Sequence, residues 1–209
     1  MSKVKSSSKK LKLPFKREFS AGGCVYKKIQ ESRIKNKESV VWLVGKHSGY
    51  HKWVLPKGLI EKGEKGVETA VRETKEEMGV EARVVVKKPI YKEQYWFVAT
   101  LGGKKQDTKN PTSFLAELRG AGKKKGKKPI RRVKVYQEDP GFEESGEEKI
   151  KIFKTVSFYL MEYVSGEPGD HGWEMSDAGW YVYEKVMDML AFDGEKEALR
   201  KAVETVGKI

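Results

Sequence analysis

Residues 58–80 read GLIEKGEKGVETAVRETKEEMGV, and this stretch limits what the chain can fold into more than any other. Residues 63–78 favour a helix. Glu64 lies near its start, where the helix dipole favours an anion, and Gly79 stands where a left-handed terminating residue belongs. At 3.6 residues per turn, Val67, Ala70, Val71, Thr74 and Met78 form one apolar stripe, while Glu73, Glu76 and Glu77 lie together to one side of it. The spacing therefore predicts one face for packing and another for chemistry.

Carboxylates three and four residues apart on a helix repel one another, and a helix built only for stability would alternate them with lysine. Lys62, Lys65 and Lys75 are close by in the sequence, yet the three glutamates still stand together. Hard oxygen ligands on a rigid scaffold suit Mg²⁺ or Mn²⁺, commonly beside substrate phosphates. A bare E-x-x-E-E is more often a solvated helix face, so the decision rests on the wider spacing.

That wider spacing resembles the Nudix box, G-x5-E-x7-R-E-U-x-E-E-x-G-U, where U is aliphatic. Gly58, Glu64, Arg72, Glu73, Glu76, Glu77, Gly79 and Val80 match, and Thr74 is the one departure. At average residue usage a chance match of the invariant positions has odds on the order of one in ~10⁶. The resemblance implies an α/β chain with the Nudix α/β/α sandwich, a curved mixed β-sheet between helices. It also implies Mg²⁺- or Mn²⁺-dependent hydrolysis of a diphosphate linkage in a nucleoside diphosphate derivative. Carried over residue by residue, Glu73, Glu76 and Glu77 would hold metal, Arg72 would orient the glutamates, and Glu73, Glu64 and Glu174 are each open as the general base.

The lead-in, residues 51–58 (HKWVLPKG), places W-x-x-P-K-G before the box and is similar to that of dinucleoside polyphosphate, diphosphoinositol polyphosphate and mRNA-decapping members. Pro56 and Gly58 imply a tight loop that brings backbone close to a ligand, with Lys57 set to meet a phosphate. Trp53 is either core or a base-stacking surface. Downstream, GDHGWEMSDAGWYVY (residues 169–183) resembles the loop and strand after the central sheet in many Nudix enzymes. Glu174 is the candidate fourth metal carboxylate, with Asp170 and Asp177 behind it, and an ordinary polar loop remains open.

At 209 residues the expectation is one domain, residues 18–209, preceded by a basic mobile arm at 1–17. The net charge of +13 suggests nucleic acid until it is located. Residues 1–18 carry seven Lys/Arg against Glu18, and residues 119–134 carry nine with no acid, so the remainder is slightly acidic. Polyanion or RNA contact is accordingly expected through 1–17 and 119–134. The single cysteine, Cys24, excludes an internal disulfide and reads as a buried thiol. With no bilayer-length apolar run and no signal-type core, the expected location is cytoplasmic, without membrane contact.

In chain order, residues 19–28, 39–46, 82–87, 90–101, 149–164 and 179–183 read as strands, and 184–191 and 193–206 as closing helices, the last capped by Asp193. Residues 102–148 read as a long lysine-rich insertion with short ordered pieces at 113–118 and 131–136. The three histidines are too scattered to suggest an imidazole metal cluster. A dinucleoside polyphosphate is the favoured substrate, with an inositol pyrophosphate or capped RNA as alternatives. A non-catalytic Nudix scaffold that binds RNA or nucleotide is the contrasting class, and a homodimer is expected from the family habit.

Overall fold

The computed structural model describes residues 14–30, 38–101 and 148–208. The expected arm up to residue 13, the pieces at 113–118 and 131–136, and the insertion between 102 and 147 lie outside the described residues. Eight strands form one sheet: β1 (Phe15–Gln30), β2 (Glu38–His47), β3 (Trp53–Val54), β4 (Lys57–Leu59), β5 (Val80–Val84), β6 (Tyr91–Leu101), β7 (Glu148–Gly166) and β8 (Met175–Val182). Helix α1 (Gly66–Met78) follows β4, and α2 (Tyr183–Met189) and α3 (Asp193–Val206) close the described chain. The central order is β3-β2-β1-β7-β5, with β4 on β1, β6 on β7 and β8 on β2. The β1–β7 pair is parallel and the other pairs antiparallel, so the sheet is mixed, as expected.

Successive side chains of a strand point to opposite faces, and the core divides accordingly. Cys24, Tyr26, Trp42, Val44, Phe158 and Leu160 pack with Val186, Leu190, Ala198 and Leu199 of the α2–α3 side. Val25, Leu43, Tyr159 and Met161 pack with Ala70 and Met78 of α1. This is the expected sandwich, with β7 apolar on both faces because both are covered. The Cys24 thiol is fully buried, and burial, then the Glu195 charge, pushes its pKa up. Among the described residues no helix is long and apolar enough to cross a membrane.

Several boundaries differ from expectation. β1 begins at Phe15, inside the stretch expected as an arm, because it pairs with β7 from Phe15↔Lys151 onward. β8 begins at Met175 and so takes in Asp177, and β5 ends at Val84. Helix α1 begins at Gly66: Gly63 turns the chain at φ 89°, and Glu68 reaches back to accept the Lys65 N–H at 2.9 Å. Its packing face is also rotated. Thr69, Ala70, Thr74, Glu77 and Met78 are buried, whereas Val71, expected in the stripe, is 37% exposed. Thr74 is tolerated on this face because its hydroxyl donates to the Ala70 carbonyl at 2.7 Å. Asp193 does not cap α3; the N-cap position is Phe192, with no side-chain cap. Gly79 ends α1 in the expected left-handed conformation (φ 68°), closely packed against the Asp170 backbone.

Candidate active site

The carboxylates of α1 are organised by one guanidinium. Arg72 donates from Nε and Nη2 to Glu64 at 2.9 and 3.0 Å, from Nη1 to Glu73 at 2.7 Å and Glu76 at 2.9 Å, and from Nη2 to the Leu59 carbonyl at 3.2 Å. Glu64 precedes the helix and folds back against it, accepting also from Thr69 Oγ1 at 2.7 Å and the Glu61 N–H at 3.1 Å. These bonds, Arg72 foremost, hold the Glu64 carboxyl down at about 2. The folded pKa is thus below the ordinary 4.5, so its contribution to stability is present above 4.5 and lost as pH falls toward 2. After allowance for solvent screening, acid unfolding of metal-free protein is expected to lose about 1–2 kcal/mol by this route. Glu64→Gln should flatten that part of the melting temperature's pH dependence, and an unchanged slope would count against the assignment.

Glu73 lies directly over Gly58: a Cβ added there would collide with the Glu73 carboxyl, so the first box glycine is required by close approach. Burial raises the Glu73 pKa against the opposing Arg72 bond. Glu77 points into the protein at 8% exposure and accepts the Lys57 N–H at 2.8 Å. Burial pushes it up to about 7 against the pull of Lys57. Glu76 is the outermost of the three, its side chain 58% exposed and its contact that with Arg72. Glu174 is exposed in the turn before β8, its carbonyl accepts the Ser48 N–H at 2.8 Å, and its charge adds to the rise of Glu73 and Glu77. Asp170 lies in a short 3-10 turn whose backbone abuts Gly79, and Asp177 pairs with Lys46 in the β2–β8 ladder.

Lys57 departs from the expected outward position. Its ammonium ion-pairs with Glu195 of α3 at 2.7 Å, and Glu195, 1% exposed, also accepts the Leu55 N–H at 3.1 Å. Burial works against the Lys57 charge, but Glu195, Tyr50 and Glu77 more than offset it and raise its pKa; burial also raises Glu195. The loop before the box is thus tied to α1 through the Lys57 backbone and to α3 through its side chain. Trp53 is half-buried, edge-on to Tyr181 at 5.7 Å in the packing of the α2–α3 side, and no described contact joins it to the box carboxylates.

Two groups were not singled out from sequence. Glu195 read only as part of a closing helix. Tyr50 stacks on His47 at 3.9 Å between ring centroids, and its hydroxyl is pushed up to about 12, first by burial, with Lys57 opposing and Glu195, Glu77 and Glu174 adding to the rise. Neither has a local pattern that could have flagged it, since the acids that act on Tyr50 and the groups that pair with Glu195 come from distant elements.

Among the described residues no three His, Cys, Asp or Glu side chains stand close enough to hold a metal ion as arranged. The donor chemistry nevertheless fits a divalent cation: carboxylate oxygens of Glu64, Glu73 and Glu76 already converge on one cation, Arg72.

Residues 33–121 match the NUDIX domain model. A Mycobacterium tuberculosis (strain CDC 1551 / Oshkosh) protein named as a mutator protein, MutT4, is 25% identical over 192 residues, covering 92% of this chain and 57% of its own length. The asymmetrical bis(5'-nucleosyl)-tetraphosphatase of Rattus norvegicus is 28% identical over 100 residues, covering 48% of this chain and 65% of its own. The chain therefore spans less than two thirds of either relative. Among solved structures, a C. elegans Ap4A hydrolase in a binary complex is 16% identical, with 92% of this chain and 99% of that one covered and a TM-score of 0.49.

Proposed function

We propose that the chain is a Nudix hydrolase and that it hydrolyses a diphosphate linkage in a nucleoside diphosphate derivative, a dinucleoside polyphosphate being favoured. The observation that carries the reading is the gathering of Glu64, Glu73 and Glu76 around Arg72, with Glu73 seated on Gly58. A non-catalytic scaffold has no reason to keep mutually repelling acids in that arrangement. The W-x-x-P-K-G lead-in and the tetraphosphatase-named relative support the choice of substrate.

Nudix hydrolases generally use divalent metals. Here Glu73, Glu76 and Glu77 would hold Mg²⁺ or Mn²⁺, with Glu174 approaching from the turn before β8. Such an ion supplies neutralisation of the phosphoryl oxygens and a lowered pKa for a bound water. Arg72 shares one nitrogen between Glu73 and Glu76 and so fixes their relative geometry, while Glu64 anchors the guanidinium from behind. Both Glu64 oxygens are engaged and its pKa is held low, which makes it the poorest of the three candidate bases. Glu73 and Glu174 remain. Lys57 serves first as a strut, and Gly58 lets Glu73 close over the loop backbone.

Gly58→Ala is expected to displace Glu73 and lower kcat by about 10²-fold with little change in fold, read by steady-state kinetics beside circular dichroism. The function itself is tested by a panel of dinucleoside polyphosphates, nucleoside diphosphate sugars, inositol pyrophosphates and capped RNA, assayed with Mg²⁺ and Mn²⁺ and with products identified. Metal-dependent release of a nucleotide from a dinucleoside polyphosphate is the expected result. Binding without turnover of any diphosphate would instead identify a Nudix scaffold that only binds.

A further inference from the structure

The face of the sheet that carries α1 continues beyond it along β1, β7 and β6. In register, Arg17 stands beside Phe153 and Phe153 beside Trp96; two residues toward the box, Phe19 stands beside Thr155 and Thr155 beside Gln94. Phe15 and Lys151 make the next row outward. Because alternate residues share a face, all of these side chains lie on the α1 side. The rings adjoin: Phe15 to Trp96 at 5.0 Å and Trp96 to Phe153 at 4.8 Å between centroids. The cations sit over them, Arg17 at 5.8 Å from the Phe15 ring and Lys151 Nζ at 4.8 Å from the Trp96 ring.

Two features separate this patch from ordinary surface. Phe15 is 50% and Phe19 53% exposed, which is unusual for large rings. In the rows of Phe15, Arg17 and Phe19, the titratable groups with described side chains that β1, β6 and β7 put on this face are Arg17 and Lys151, both cations; the α1 carboxylates begin at the next row inward, where Glu73 lies over Gly58. The neighbouring acids Glu18 and Glu93 fall on the alternate positions, opposite Lys154 and Val156, and so on the other face. Aromatic rings among cations with no acid are the composition of a surface that stacks bases and neutralises phosphates.

Position adds a second argument. The chain outside the described residues joins this end of the sheet: residues 1–13, with five lysines and no acid, lead into β1, and residues 102–147, with twelve Lys/Arg, nine of them in 119–134, against seven acids, connect Leu101 to Glu148. Toward the box, Phe19 accepts the Ile60 N–H at its carbonyl, and a cleft of about 400 Å³ opens along the β1 edge, lined by Arg17 and Phe19 of this face, Lys16 and Glu18 of the other, and Leu59 and Ile60. The acid there, Glu18, is paired with Lys16 at 3.2 Å. Ala21, two residues beyond Phe19, is the register partner of Gly58, beneath Glu73.

We infer that the exposed aromatic and basic face formed by Phe15, Arg17, Phe19, Trp96, Lys151 and Phe153 is a docking surface for a single-stranded polynucleotide. Bases stack on the rings, and the backbone runs past Arg17 and Lys151 toward the carboxylate site. Net positive charge at that end of the sheet selects a polyanion, and the rings select one with planar bases over a sulfated sugar or a polyphosphate.

The test uses the full chain and 12-nucleotide oligouridylate and oligothymidylate lacking any terminal phosphate, so that its outcome does not depend on the hydrolase reading. Fluorescence anisotropy across a salt series should show saturable binding. Phe19→Ala and Trp96→Ala should each weaken it about tenfold without changing the salt slope, whereas Arg17→Ala and Lys151→Ala should each lower the slope by about one. Phe19→Ser, at a half-exposed position, is the second variant if Trp96→Ala fails to fold. Absence of saturable binding overturns the inference. So does binding indifferent to the aromatic substitutions, or loss of phosphatidylserine-vesicle binding on those substitutions while oligonucleotide affinity is unchanged.

Discussion

Glu76→Gln is expected to fold normally and to lose about 10³-fold in kcat. The two halves of that outcome have separate causes. Its side chain is more than half exposed, and its bond to Arg72 is an i,i+4 surface pair, an interaction worth at most about 0.5 kcal/mol. The amide keeps the shape and an oxygen acceptor. What it removes is one formal negative charge from a set that would hold a divalent cation, and neutralising phosphoryl charge is worth several kcal/mol in the transition state, where about 1.4 kcal/mol is tenfold in rate. The matching measurements are urea unfolding, expected within about 0.5 kcal/mol of wild type, and Mg²⁺-dependent turnover of a dinucleoside polyphosphate. Full turnover by Glu76→Gln would end the proposed metal role.

Glu195→Leu should have the largest effect on stability, about 3–5 kcal/mol, because it leaves the Lys57 ammonium and the Leu55 N–H inside the protein without their carboxylate. Lys57→Met should cost less. A buried carboxyl whose pKa is already raised can take up a proton and become neutral, and it keeps the Leu55 bond. The double variant Lys57→Met/Glu195→Leu replaces the pair with apolar groups and should recover much of the loss. Denaturant unfolding of all four proteins gives the coupling energy directly. A single-variant loss under 1 kcal/mol would mean that water reaches the pair. Since the same strut holds the loop carrying Gly58, Glu195→Leu should also lower turnover at temperatures where the protein remains folded.

Legibility followed the range of the interactions. The box helix was readable because its periodicity, its terminal glycine and the spacing of Glu64, Arg72 and Glu76 all lie within one short segment, where 3.6 residues per turn converts spacing into position. Its rotation was not readable. Hydropathy alone favours Val71 over Thr69 for the buried face, yet Thr69 is buried with its hydroxyl bonded to Glu64, and Glu77 turns inward to accept the Lys57 N–H. The strands β3 and β4 are two and three residues long and carry no periodic signal; pairing with β2 and β1 creates them. Phe15 and Arg17 were assigned to an arm on charge, yet a parallel partner far along the chain makes them a strand.

By itself, the sequence determined the α/β sandwich and which residues make up the carboxylate face of α1, since these depend on residue types at fixed short spacings. Only the tertiary structure decided that Lys57 turns inward to Glu195, that Tyr50 joins the charged groups there, and that Phe15, Trp96 and Phe153 share one surface. Leu55 and Glu195 are 140 positions apart. Contacts of that kind are selected by burial and by the need to satisfy a charge once the sheet has formed, and no local pattern along the chain encodes them.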